Sequence, residues 1–338
     1  MKKNNSLKSL TGYRELGVIA ALAILVVVFS FSSEIFFTGN NLLNITRQIS
    51  VNALIAIGMT FVIITGGIDL SVGSVISFVG IITASMMKDY NISVLGAVVI
   101  GILIGAVTGL INGVFVSFLN MPAFITTMGT MTILRGLGFI YTQGYPIYDL
   151  GKEFKLIGQG YIWIFPTPAI ILLIVAVVAY FLLRKTVFGR HIYAIGGNPE
   201  ASKFAGIKVR MVNVSVYVIS GITAGIAAVV QASRIGSGLP TIGSGFELDA
   251  IAAVVIGGAA MTGGSGTILG TILGSIILGV LSNGLSLLDV DSYVMQVISG
   301  LVVILAVLID QIRSRMSSRV EIKKTKAQLA VGEKETGR

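Results

Sequence analysis

Residues 184–210 read RKTVFGRHIYAIGGNPEASKFAGIKVR and form a basic loop between two long hydrophobic blocks of the chain. Within this basic loop, residues 198–206 carry the signals of a compact helix. Asn198 is a residue type that caps helices, and Pro199 suits the first helical position. Gly206 can end the helix in a left-handed conformation. The loop therefore predicts a helix of about two turns between two membrane-embedded blocks.

The short helix raises the question of which surface it packs against. Ala201, Phe204 and Ala205 share one face, whereas Glu200 and Lys203 point elsewhere. A helix this short is marginal in water, so it must lean on another surface. One hypothesis is that it docks into a partner protein at the cytoplasmic membrane surface. The other is an ordinary capped loop helix on the bilayer interface.

The composition places the chain in a membrane. It is 54% hydrophobic and 12% charged, whereas soluble domains have about 25% charged residues. No charge occurs in residues 90–134 or 250–288, and each run is long enough for two spans of about 20 residues. The absence of cysteine excludes disulfides and thiol chemistry. These features predict a polytopic helical membrane protein.

The basic residues indicate the orientation. Of the 24 Lys and Arg residues, 18 lie in residues 1–15, 184–210 and 313–338. Basic residues concentrate on the cytoplasmic side of membrane proteins, so we expect both termini and the basic loop in the cytoplasm. This distribution explains the net charge of +9 without a nucleic-acid partner.

The predicted fold class is all-α, with about ten transmembrane helices. Residues 1–15 are expected to form a cytoplasmic tail, residues 16–312 the membrane domain, and residues 313–338 a basic, mobile cytoplasmic tail. Eight spans remain if the short third and eighth are re-entrant. The predicted spans are 16–36, 46–65, 70–87, 94–118, 123–143, 162–183, 211–232, 249–260, 268–287 and 292–310.

An internal repeat is visible in the two halves. Asn112-Gly113 and Asn283-Gly284 each follow a run of glycines at four-residue spacing and precede another glycine by 16 residues. Such runs let helices approach closely. Because the copies are five predicted spans apart, the repeats must be inverted in the membrane, a plan common among transporters with broken helices. The sequence thus predicts two inverted repeats with some helices broken or re-entrant.

A carboxylate interrupts the hydrophobic pattern at TGGIDLSVGS, residues 65–74. Asp69 lies between apolar runs, where an unpaired charge costs about 2.5–3.5 kcal/mol, and Ser71 can cap a following helix. Either an interrupted helix lines a hydrophilic path or gate, or Asp69 simply caps the third span at an interface. GFELD at residues 245–249 invites the same argument. The candidate pathway or gate residues are Asp69, Ser71, Asn112, Glu247, Asp249 and Asn283.

Motifs of catalysis are missing from the sequence. No Gly-x-x-x-x-Gly-Lys-Ser/Thr occurs, so the chain has no recognisable P-loop for ATP. No zinc-ligand spacing, Ser-His-Asp set or catalytic carboxylate pair stands out either. We therefore expect no catalytic residue, no metal site and no cofactor bound by this chain, and predict that it is not an enzyme.

The whole pattern resembles the permease subunits of bacterial ABC sugar importers, most closely those for ribose. The resemblance covers about residues 15–312. Its matching stretches are Ser50–Ala53, Gly67–Ser74, Gly189-Arg190, Tyr193-Ala194, Gly196–Asn198, Gly206-Ile207, Glu247–Gly257, Gly264, Gly266, Asn283–Leu288 and Ser292-Tyr293.

The resemblance implies a homodimeric permease in the bacterial inner membrane that forms a pathway for ribose or a related monosaccharide. It also implies two cytoplasmic ATPase subunits, which would hold ATP and Mg²⁺, and an extracytoplasmic sugar-binding protein. The helix in the basic loop would then be the coupling helix that fits the ATPase. The residues assigned to coupling on this basis are Gly196, Gly197, Asn198, Pro199, Glu200, Ala201, Phe204 and Gly206.

Two other functional classes stay open at this point. An ion-coupled secondary sugar transporter would act without an ATPase and would need titrating acids in the membrane, but no docking helix. A membrane scaffold or receptor would move no sugar under any energy source. The resemblance also leaves the sugar undecided, because permeases for xylose, galactose and allose share these motifs.

Overall fold

The computed structural model of the protein describes residues 5–308 and 311–312. In these ranges the chain forms thirteen α-helices and four two-residue strands, which confirms the predicted all-α class. The helices are α1 (Asn5–Ser32), α2 (Gly39–Ile64), α3 (Val72–Lys88), α4 (Val94–Ser117), α5 (Ala123–Thr142), α6 (Gly151–Gln159), α7 (Thr167–Lys185), α8 (Val187–Gly197), α9 (Pro199–Phe204), α10 (Val209–Ile235), α11 (Phe246–Ile256), α12 (Ile268–Leu287) and α13 (Ser292–Leu308). The strands form antiparallel pairs, β1 (Ile147–Tyr148) with β4 (Ser237–Gly238) and β2 (Tyr161–Ile162) with β3 (Phe165–Pro166).

Each predicted span corresponds to a helix. Within the described ranges, six helices are long and apolar enough to cross a membrane, namely α2, α4, α5, α7, α10 and α12. Residues 17–32, α3 and α13 are shorter apolar helical stretches. Helix α11 has 11 residues, or about 16 Å, roughly half of a bilayer core. The segment predicted as the eighth span is therefore a half-length helix, as expected for a broken architecture.

Of the two predicted tails, only the N-terminal one lies partly within the described residues. Helix α1 begins at Asn5, so helical structure extends into the segment predicted as an N-terminal tail. The predicted tail at residues 313–338 lies outside the described residues. Whether the two halves are inverted copies stays a prediction.

Helices α2 and α10 form the centre of the bundle. In an apolar stretch of 18 residues in α2, 83% of the residues are buried inside the protein. The corresponding share is 22% in α5 and in α7. Apolar residues cover α2 on all sides, as expected of a helix surrounded by other helices rather than by water or lipid. The peripheral helices α4, α5 and α7 expose apolar side chains that are available to lipid or to another protein.

Glycine permits the closest helix contact in the bundle, between α4 and α10. A methyl group on Gly105 would overlap the carbonyl oxygen of Gly221, and one on Gly109 would overlap that of Tyr217. The other face of α4 exposes Leu95, Leu103 and further apolar residues. The second glycine run has the same role, since a methyl group on Gly270 or Gly274 of α12 would overlap backbone oxygens of α11 or its end. Close helix approach, predicted from both runs, is confirmed.

Two irregular segments interrupt the helical core. Helix α2 ends at Ile64, the chain turns at Gly66 (φ +81°), and α3 begins at Val72. The second segment, residues 257–267, links α11 to α12. The two meet where the amide of Gly264 donates to the terminal carbonyl of Ile64 at 2.8 Å. Irregular backbone inside a membrane protein is tolerated where the protein itself satisfies its polar groups, and this hydrogen bond does so.

We predict that Gly105→Ala lowers the free energy of unfolding by about 1–3 kcal/mol, because the new methyl group must push α4 away from α10. The measurement is thermal unfolding of the purified chain in detergent. The matched control is Gly136→Ala on α5, where an added methyl group has no neighbour within 4 Å. Equal unfolding midpoints for the two variants would contradict the assigned close contact.

Candidate functional site

The basic loop contains two capped helices rather than the one that was predicted. In α9, the Asn198 side-chain oxygen accepts from the amide of Ala201 at 2.9 Å, and Pro199 occupies the first helical position. Gly206 has a φ of +83°. These three local predictions are confirmed. Helix α8 was not predicted, although its cap at Thr186 and the spacing of Phe188, Ile192 and Ile195 are visible in the sequence.

Helix α8 anchors the basic loop to the broken core. Ile192 and Ile195 are fully buried. The Tyr193 hydroxyl donates to the carbonyl of Gly266 at 2.7 Å. Burial raises the pKa of Tyr193, against an opposing effect of the Arg184 charge, so the phenol stays protonated and able to donate at neutral pH. Helix α8 is thus fixed to the segment that links α11 and α12.

Gly196 brings α8 closest to α2. A methyl group at this position would overlap the carbonyl oxygen of Ile64 and the amide nitrogen of Gly264, the two atoms that hold the irregular segments together. The neighbouring Gly197 has no atom within 4 Å of such a methyl group. Of the two glycines, only Gly196 is required by packing.

Helix α9 presents its polar and apolar side chains outward. Phe204 is 89% exposed. Glu200 and Ala201 are also exposed, and only Ser202 of α9 is buried. A groove of about 660 Å³ runs beside α9, with Lys203, Lys208 and Arg210 among its lining residues. The surface combines one exposed aromatic ring with concentrated positive charge.

Asp69 lies in the irregular segment between α2 and α3 and is 1% exposed. One carboxylate oxygen accepts from the amide and the hydroxyl of Ser71, at 3.0 and 2.6 Å. The other accepts from the hydroxyl of Ser220 on α10 at 2.8 Å. The carboxylate therefore has donors at both oxygens, which compensate for its removal from water.

The hydrogen-bond network continues from Ser71 to two further helices. Asn112 of α4 donates its side-chain amide to the Ser71 hydroxyl at 2.9 Å, and Thr130 of α5 donates to the Asn112 oxygen at 2.6 Å. Three of the predicted pathway residues, Asp69, Ser71 and Asn112, are thus brought together and buried. In this conformation they join the irregular segment to α4, α5 and α10 and have almost no exposed surface.

Of the other three candidates, Glu247 and Asp249 are two residues apart on α11, whereas Asn283 lies on α12. Asn283 of α12 exchanges a pair of amide hydrogen bonds with Asn41 of α2, at 2.9 and 3.0 Å. Glu247 lies against the first turn of α3, where only a glycine at position 73 leaves room for its carboxylate. Asp249 lines a polar crevice between α10 and α13.

Several partners in these networks were missed by the sequence analysis. Ser220, Thr130 and Asn41 complete the hydrogen bonds of the predicted residues. Each has another polar residue within three positions in the sequence and does not stand out from its neighbours. Such residues carry no motif, so only the three-dimensional packing identifies their partners.

The family model and the relatives that match this chain are all permease components of transport systems. The family described as branched-chain amino acid transport system / permease component matches residues 41–307. The ribose import permease protein RbsC of Bacillus subtilis is 45% identical over 303 residues, covering 89% of this chain and 94% of the relative. RbsC of Escherichia coli K12 is 44% identical, covering 86% and 92%. The D-allose transport system permease protein AlsC of Escherichia coli K12 is 38% identical, covering 88% and 92%. No solved structure matches the chain.

We predict that Asp69→Ala lowers the free energy of unfolding by about 1–3 kcal/mol, because the Ser71 and Ser220 donors lose their acceptor in a buried site. Thermal unfolding in detergent measures the change. Glu153→Ala on α6 is the control, since its carboxylate is exposed. An Asp69→Ala variant as stable as this control would show that the network contributes nothing to the fold.

A second prediction concerns the anchoring of α8. Gly196→Ala should increase amide exchange in residues 187–206 by about tenfold or more, because a cost of about 1.4 kcal/mol or more falls on this contact. Hydrogen–deuterium exchange measures the protection of these amides. Gly197→Ala should leave it unchanged, and indistinguishable profiles for the two variants would contradict the packing role of Gly196.

Proposed function

The chain belongs to this family of transport-system permease components, and we propose that it is the membrane-spanning subunit of an ATP-driven importer for ribose or a related monosaccharide. The family description names amino acids, but the relatives that match over most of their length are named for ribose and for allose. Identity of 44–45% to the ribose permeases, against 38% to the allose permease, favours ribose. The chain is a multi-pass membrane protein and a transport subunit rather than an enzyme.

The exposed Phe204 is the observation that carries the coupling part of this proposal. Helix α9 is the coupling helix, and Phe204 fills a pocket in a cytoplasmic ATPase subunit. Its base, α8, is fixed to the ends of α2 and of the segment 257–267, so a force on α9 reaches the broken core directly. The ATPase binds ATP and Mg²⁺, since this chain has no P-loop.

The proposed orientation assigns the remaining partners to the two sides of the membrane. The basic loop and both termini are cytoplasmic, in line with the distribution of Lys and Arg. An extracytoplasmic sugar-binding protein delivers the sugar at the opposite side of the inner membrane. A second copy of the chain completes the pathway, and the exposed apolar faces of α4, α5 and α7 contact this copy or lipid.

Reconstitution in proteoliposomes tests the function. Uptake of labelled D-ribose should require the ATPase subunit, ATP and the binding protein together. Uptake by the purified chain alone, driven by a proton or sodium gradient, would support the ion-coupled alternative instead. No uptake under any energy source would support a scaffold or receptor.

The Phe204→Asp variant tests the coupling helix. We expect its affinity for the ATPase subunit to fall by about 30-fold or more, the factor that corresponds to loss of a central aromatic contact. Co-purification and titration with the ATPase subunit measure the effect. Tyr145→Asp replaces another exposed aromatic residue, which lies outside the basic loop, and should bind normally. Normal binding by Phe204→Asp would refute the assignment.

A further inference from the structure

A polar crevice lies between α2, α10, α11, α12 and α13, away from the basic loop. It consists of two adjoining cavities of about 270 and 420 Å³, which share Asp249, Ser282, Met295 and Ser299. Pockets for small molecules measure about 300–1,000 Å³, so the combined space is sufficient for a monosaccharide. None of Asp69, Ser71 and Asn112 is among its lining residues.

The crevice lies at the end of the bundle opposite α9. Helix α10 leaves the basic loop at Val209, and the crevice residues Gln231 and Arg234 lie in its last two turns. Helix α2 runs the other way, with Gln48 in the crevice and Ile64 beside α8. With the basic loop in the cytoplasm, the crevice lies toward the side from which an imported sugar arrives.

The lining chemistry is suited to hydroxyl groups. Gln48, Asn52 and Gln231 contribute amides, Ser282 and Ser299 contribute hydroxyls, and Asp249 contributes a carboxylate. Amides and hydroxyls offer both donors and acceptors, as the hydroxyls of a sugar require. Phe246 and Met295 add apolar surface for carbon–hydrogen faces. Gln48 already donates to the Ser282 oxygen at 3.1 Å, which leaves the Ser282 hydroxyl proton free to donate.

Gln231 is the residue that distinguishes this crevice from ordinary packing. Its side chain is 7% exposed, and its amide oxygen has no hydrogen-bond partner among the described residues. An unsatisfied polar atom in a buried site costs about 1–3 kcal/mol. Six other buried side-chain atoms of the described residues share this state, and Gln231 is the one among them that lines the crevice. A ligand hydroxyl that donates to this oxygen would remove the cost.

We propose that this crevice is a sugar-contact site within each single subunit, in which Gln231 and Asp249 accept hydrogen bonds from hydroxyls of the incoming monosaccharide. The site rests on the proposed import function. It adds that each copy carries its own contact site between α10 and α13.

Gln231→Leu and Asp249→Asn test the site in the complete reconstituted assembly, with labelled D-ribose as the probe. We expect ribose uptake to fall about tenfold, as for the loss of one strong hydrogen bond, whereas ATP hydrolysis stimulated by the loaded binding protein changes less than about twofold. Thr223→Val is the matched control. It alters another buried polar residue of α10 outside the crevice and should retain uptake.

Thermal unfolding separates a contact role from a structural one. The Gln231→Leu chain should be as stable as the original or more stable, because an apolar side chain of similar size replaces an unsatisfied amide. Loss of uptake together with a lower unfolding temperature would overturn the inference. Normal uptake by both crevice variants would also overturn it, as for a water-filled packing gap. If the unaltered assembly imports no ribose, the proposed function itself fails.

Discussion

The rest of the structure depends on hydrogen bonds that satisfy the polar segment between α2 and α3. The buried carboxylate of Asp69 is at the centre of these hydrogen bonds. A turn between two helices of a membrane protein contains polar backbone and side-chain groups that lipid cannot solvate. Here the break between α2 and α3 is filled by protein, since hydroxyls from Ser71 and Ser220 surround the carboxylate. The same network holds α4 and α5 in place through Asn112 and Thr130. The interruption is therefore a fixed junction of four elements.

This junction connects the two ends of the molecule. At one end, α8 packs on the terminal carbonyl of Ile64, just before the break, and carries the exposed α9. At the other, α2 and α10 extend to the crevice that contains Gln231 and Asp249. Because protein interiors are close-packed, displacement of α8 must move the end of α2 with it. Force applied to the basic loop thus has a direct mechanical route toward the crevice.

Sequence patterns predicted the spans, the capped helix at Asn198 and the close approach of helices at the glycine runs, since each depends on local periodicity or on one residue's conformational freedom. They did not predict α8, although its cap at Thr186 is visible within the basic loop. Nor did they show that Asp69 is buried among hydroxyls, because Ser220 lies 151 residues away in sequence. The similarity between residues 67–71 and 245–249 suggested equivalent roles, yet hydroxyl donors enclose Asp69. At the matching position, one carboxylate oxygen of Glu247 has no hydrogen-bond partner among the described residues. Long-range packing decides such differences.

The central claim is that the coupling surface and the sugar crevice lie on opposite sides of one membrane. Single-cysteine labelling measures this directly, because the chain contains no cysteine of its own. A membrane-impermeant thiol reagent should modify the Glu200→Cys variant only from the cytoplasmic side and the Ser299→Cys variant only from the outer side. Modification of both variants from the same side, or of Glu200→Cys from outside the cell, would contradict the account.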